Sequence, residues 1–171
     1  MLIQDRVRSL RPIIDDQSRV LILGSIPSAM SIEKQEYYAN KRNHFWRTIY
    51  AIFDSELDVS YVERISFLRG KGVALWDVLK ECNREGSGDS TITGRVPNDF
   101  ASLFEEYPGI KFVFFNGRMA EESFEELVRL NPNSRLKLKR LPSTSPANAR
   151  LTIEAKVADW RTVRECLERC D

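Results

Sequence analysis

Four short apolar runs are spaced along the chain: Val20 to Leu23, Val73 to Trp76, Phe112 to Phe115, and the alternating Leu136, Leu138 and Leu141. Each reads as a strand. The first three are continuous enough to be buried on both faces, as in a sheet covered by helices on each side. The stretches between them carry helical patterns over Phe45 to Phe53, Val59 to Arg69, Asp99 to Tyr107, Met119 to Leu130 and Ile153 to Leu167. Strands joined through helices make right-handed crossovers, so the class is α/β with a parallel sheet. The chain has 171 residues, 42% of them apolar, and shows no repeat, linker or low-complexity stretch, so one domain over 1–171 is expected.

A parallel sheet binds its ligand outside the carboxyl ends of its strands, where strand order reverses. The residues that follow the four runs are Gly24-Ser25-Ile26-Pro27-Ser28, Trp76-Asp77-Val78, Asn116-Gly117, and the segment from Leu141 to Ala149. All are small, polar or turn-forming, which predicts one shared cleft. The first loop has neither dinucleotide-loop nor P-loop spacing. Gly24 and the serines there either let a flat ligand approach main-chain N–H groups or simply end a strand at Pro27.

The segment from Tyr37 to Arg47 packs aromatics, cations and amides ahead of a helix. Asn43 in it reads either as an N-cap or as an amide at the cleft edge, able to hold a water or a carbonyl. Tyr38 or Phe45 would stack on a planar ring. Asp77 either faces the cleft or caps a turn. Arg135, Lys137, Lys139 and Arg140 lead into the stiff Leu141 to Pro146 loop, as a phosphate-binding edge or as a solvated strand face.

Other chemistries lack the residues they need. One histidine, His44, and three cysteines, Cys82, Cys166 and Cys170, are too few for most nitrogen and sulfur metal sites or for an iron–sulfur cluster. There is no nucleophile elbow for a triad. No metal and no cofactor is expected, and the cysteines read as structural. With 26 Lys and Arg against 25 Asp and Glu, net charge is +1, so an anionic partner must meet a local patch. The N-terminus lacks the apolar core of a signal peptide, and no apolar run reaches the ~18 residues that span a bilayer. The expectation is a soluble cytoplasmic monomer without membrane contact.

Four segments, in order and at similar spacing, resemble the uracil-DNA glycosylase superfamily in its mismatch-specific and thymine-DNA glycosylase branch. They are Val20 to Ser28, Asn43-His44-Phe45-Trp46-Arg47, Phe115-Asn116-Gly117, and Leu141-Pro142-Ser143-Thr144-Ser145, and the likeness covers roughly 18–165. In that branch the first loop reads Gly-Ile-Asn-Pro-Gly and its Asn is the catalytic residue, whereas Ile26 stands at that position here. The Gly-Ser-x-Pro-Ser form is similar to the hypoxanthine-DNA (deoxyinosine) glycosylases. So are Tyr37-Tyr38-Ala39, Leu75 to Val78, Gly86 to Ser90, Pro97 to Phe100 and the Ser-Thr-Ser-Pro-Ala loop.

The resemblance implies a three-layer α/β/α sandwich around a four-stranded parallel sheet, and a monofunctional glycosylase that flips a deaminated base from DNA and hydrolyses its N-glycosidic bond. Hypoxanthine is the expected base. Alternatives are a glycosylase for uracil or G·T and G·U mismatches, and a non-catalytic DNA-binding relic. By the same resemblance Asn43 carries catalysis. Gly24, Ser25, Ile26, Tyr38, Phe45, Trp76, Asp77 and Asn116 form the base pocket, with Asp77 or nearby backbone reading the N1–H edge. Pro27, Ser28, Arg42, Ser143, Thr144, Ser145, Pro146, Ala147 and Asn148 meet the DNA, double-stranded or single-stranded. In a prokaryotic cell the protein would be associated with the nucleoid.

Overall fold

The structure is a computed structural model that describes residues 6–86 and 88–170. Ser87, part of one motif quoted above, lies outside them. Strands β2 (Val20–Gly24), β3 (Val73–Asp77), β6 (Phe112–Asn116) and β7 (Lys137–Leu141) form one parallel sheet in the order β3-β2-β6-β7. These are the four apolar runs. The first three are almost wholly buried, as their unbroken apolar character requires, while β7 is an exposed edge with only Leu141 buried.

Helices cover both faces. Val20, Ile22, Leu75 and Phe114 pack against α2 (Phe45–Ile52), α3 (Tyr61–Gly70) and α6 (Ile153–Glu168) through Phe45, Ile49, Leu68, Trp160 and Val163. Leu21, Leu23, Val113 and Phe115 pack against α4 (Phe100–Glu106) and α5 (Arg118–Leu127) through Phe100, Leu103 and Phe124. The period-2 alternation of the central strands thus divides one run of apolar residues between two cores. The α/β/α sandwich is the expected one, and all five expected helices are present within a few residues of their expected bounds.

The sequence patterns missed a second, antiparallel sheet of β1 (Arg6–Arg8), β4 (Leu79–Asn83) and β5 (Thr93–Pro97), in the order β1-β4-β5. These strands have no apolar run. Pairing and the buried Leu79 and Cys82 hold them instead. The short helix α1 (Ala29–Lys34), capped by Ser28 Oγ on the Ser31 N–H, was likewise unforeseen. Among the described residues no helix is long and apolar enough to cross a membrane, and all three cysteines are free.

The basic stretch before Leu141 needs correcting as a flank of the cleft. Lys137 pairs with Phe112 at the amino end of the sheet, four residues from Leu141, or about 13 Å at the usual strand rise. Its neighbours are already engaged. Lys137 lies over the Phe112 ring, Lys139 reaches the Thr162 hydroxyl, and Arg140 pairs with Glu121. The residues form a solvated edge.

Candidate active site

Parallel register brings Gly24 beside Asp77 and Asn116 beside Leu141, so the strand ends and the loops after them meet on one side of the sheet. A cavity of about 400 Å³ opens there, lined by Gly24 through Ser28, Tyr38, Asn43, Asp77, Asn116 and Ser143 through Ala147. Fourteen of the residues nominated from the sequence meet in it, drawn from five separated stretches of chain.

Four nominated residues do not line it. Phe45 is fully buried behind Tyr38, with ring centroids 4.1 Å apart, and backs that ring instead of facing a ligand. Trp76 points off β3 to the face opposite its neighbour Asp77. It packs on Phe100 and donates its indole N–H to Leu10 O at 3.1 Å. A base sandwiched between Phe45 and Trp76 is therefore excluded. Arg42 lies exposed beside the cavity, and Asn148 spends its amide N–H on Ser143 O.

Ser31, Tyr37, Asn40, Gly88 and Asp89 line the cavity without having been singled out. For Gly88 and Asp89 the signal was the Gly86 to Ser90 motif, which has no secondary-structure pattern to place it. For Tyr37 it was adjacency to Tyr38.

At the floor, Gly24 is bare for a steric reason. A Cβ there would stand 2.5 Å from Asp77 Oδ1 and 3.0 Å from Tyr38 Oη. Gly24→Ala must push one of them aside, and overpacking of this kind costs about 1–3 kcal/mol. The expected outcome is a lower denaturation midpoint together with a narrowed cavity, checked by urea unfolding and a structure of the variant.

Asp77 is 4% exposed, and its Oδ2 is buried with no hydrogen-bond partner among the described residues. Burial pushes its carboxyl up to about 7, while Arg84 pulls weakly the other way. Buried polar atoms are nearly always satisfied, and among the described residues only Thr48 Oγ1 shares this state. Asp89 accepts from Ser25 Oγ at 3.3 Å, and burial raises its carboxyl as well.

Tyr38 holds a left-handed backbone, φ 52°, unusual for a non-glycine residue and typical of strain kept at working sites. Its hydroxyl accepts from Asn116 Nδ2 at 3.0 Å. The same amide nitrogen donates to Thr144 Oγ1 at 2.8 Å, and Asn116 Oδ1 accepts the Thr144 N–H at 2.9 Å. Asn116 is thus a cross-link between Tyr38 and the last loop, with its amide largely consumed. Gly117, at φ 95°, lets Ser143 pack where a Cβ would meet it at 2.9 Å.

Asn43 lines the cavity, and it is not the N-cap of α2, which is His44. Asn43 Oδ1 accepts the Phe45 N–H at 2.9 Å, steadying the first turn of α2. That bond fixes the amide orientation and leaves Nδ2 and one Oδ1 lone pair for the cavity. Ser25 and Ile26 keep their backbone N–H groups without an acceptor among the described residues, and Ile26 presents an apolar wall where the branch's loop has an amide.

Residues 12–164 match the family model described as the uracil DNA glycosylase superfamily. The chain belongs to the uracil DNA glycosylase superfamily. It is 40% identical to a protein of Methanosarcina acetivorans named hypoxanthine DNA glycosylase, over 91% of this chain and 96% of that one. A Methanosarcina barkeri protein of the same name is 35% identical over 87% of this chain and 92% of its own. A Methanosarcina acetivorans protein solved by solution NMR as a candidate uracil DNA glycosylase superposes with a TM-score of 0.82. It is 38% identical, and the match covers 96% of this chain and 99% of the other. In this superfamily member no three His, Cys, Asp or Glu side chains are grouped so as to hold a metal ion among the described residues.

Proposed function

We propose that this DNA N-glycosylase removes hypoxanthine from deoxyinosine in DNA, acting as a single-domain monomer and leaving an abasic site. The unpartnered Oδ2 of Asp77, a residue that lines the cavity, carries this reading. Hypoxanthine presents N1–H, a donor that satisfies the orphaned oxygen, whereas adenine has a bare acceptor at N1. A buried acceptor left unpaired by the wrong base is the strongest form of rejection a pocket can apply. The two relatives named hypoxanthine DNA glycosylase support the same assignment.

The flipped base enters against Tyr38, whose ring is stiffened by Phe45 behind it. Flipping costs a few kcal/mol of unstacking, least at a mispair, which favours deaminated bases from the start. Cleavage develops positive charge on the sugar and negative charge on the departing base, as in sugar hydrolysis. The free N–H groups of Ser25 and Ile26 stabilise the base anion. Asn43 holds the attacking water on the far face of the sugar. Pro27, Ser28, Arg42 and the Ser143 to Asn148 loop meet the DNA backbone, with that loop nearest the gap left in the duplex.

The assay incubates the protein, with EDTA present, with duplexes carrying inosine, uracil or a G·T mismatch, followed by alkali to break abasic sites. Breakage at inosine alone is expected. Breakage mainly at uracil or the mismatch overturns the base assignment, and retained binding without breakage overturns catalysis.

A further inference from the structure

His44 does not have the surroundings of a surface histidine. Its backbone N–H donates to Thr144 O at 2.9 Å, which ties it to the Asn116 cross-link. Its ring Nδ1 lies 3.3 Å from Nζ of Lys156, in the first turn of α6. Lys156 is completely buried, and no carboxylate lies within ion-pair distance of it among the described residues. An ammonium group so placed is costly. Nor does it line the cavity, so it is no candidate for a covalent nucleophile there.

The order of basicity decides which partner holds the proton. A lysine amine exceeds an imidazole by about four pH units in ordinary surroundings, and burial lowers both groups here. Lys156 therefore donates and Nδ1 accepts, which leaves the imidazole neutral with its hydrogen on Nε2. After burial, the charges of Lys156 and Arg47 also oppose a second cation, and of the groups facing the ring only Glu154 favours one. With Nδ1 turned inward to Lys156, Nε2 is the nitrogen left for the half-exposed side of the ring.

We propose that Lys156 is a positioning residue for excision: it locks His44 as the uncharged Nε2–H tautomer, so that the ring beside Asn43 offers one fixed donor to a phosphate oxygen next to the flipped nucleotide. The phosphate contact rests on the DNA glycosylase reading above, while the tautomer does not.

The chain has one histidine, so a long-range ¹H–¹⁵N spectrum of the labelled wild-type protein reports this ring alone. The expected result is an unprotonated, hydrogen-bonded Nδ1 and a protonated Nε2 from mildly acidic to mildly alkaline pH. A protonated Nδ1, or titration at the ordinary histidine value, overturns the proposal. Because that measurement needs no substrate, failure of the base assignment leaves it intact.

In Lys156→Met, provided the far-ultraviolet circular dichroism is retained, His44 should titrate nearer its ordinary value and duplex affinity should fall about tenfold. His44→Phe should show the same loss of affinity and His44→Gln, which keeps a donor, should restore most of it. Equal affinity of the Phe and Gln variants overturns the phosphate contact.

Discussion

Asn43→Ala is expected to lower the single-turnover rate of base excision by roughly 10²- to 10³-fold, the range seen when one preorganised polar group is removed from a transition state. The same substitution also removes the acceptor of the Phe45 N–H, a hydrogen bond worth about 1 kcal/mol. Activity and stability should therefore fall by very different amounts. Asn43→Asp separates the two roles, because a carboxylate still accepts the Phe45 N–H but has no Nδ2 donor and adds charge beside the reacting sugar. We expect the Asp variant to melt like the wild type and still lose most activity. Full turnover in Asn43→Ala would end the assignment of catalysis to this residue.

Asp77→Asn should make the protein more stable and less selective. The folded carboxyl titrates at about 7 against 3.8 for the free group, so between those values the folded state holds a proton that the unfolded state has released. The wild type therefore loses stability as pH climbs from about 4 to about 7, and the loss persists above. A shift of about three units corresponds to on the order of 4 kcal/mol. The neutral amide abolishes that decline, so the variant's advantage should be large at pH 8 and small at pH 4, as read by thermal melts at both.

Selectivity moves the other way, since the amide that Asp77→Asn introduces can donate to adenine N1 whereas the ionised carboxylate cannot. The protonated acid can also donate there, so wild-type preference for inosine over adenine should sharpen as pH rises through 7. Unchanged discrimination in Asp77→Asn would remove Asp77 from base reading.

The legible parts of this molecule were those written in continuous apolar runs. Val20 to Leu23, Val73 to Trp76 and Phe112 to Phe115 are strands covered by helices on both faces, and their ends located the cleft. Arg6–Arg8 was illegible because its strand character comes from a partner far along the chain, and Thr93–Pro97 because it pairs with the nearby Leu79–Asn83 in a shifted register without an apolar run. Trp76 and Asp77 show the same limit at the site. Adjacent strand residues face opposite ways, so placing one in the cavity removes the other, and the sequence alone does not give the phase. Lys156 was invisible as a feature, since a lone lysine in an amphipathic helix normally reaches solvent. It is buried on α6, which packs against α2.

The Asn116 cross-link has a consequence for how a substrate is received. With both amide hydrogens on Tyr38 and Thr144 and the oxygen on the Thr144 N–H, the wall of the cavity is assembled before any nucleotide arrives. Under the proposed function, recognition asks little rearrangement of the protein and puts the distortion on the duplex. A preorganised receptor of this kind discriminates by how easily each lesion leaves its stack, so the weakness of the damaged pair becomes part of the reading.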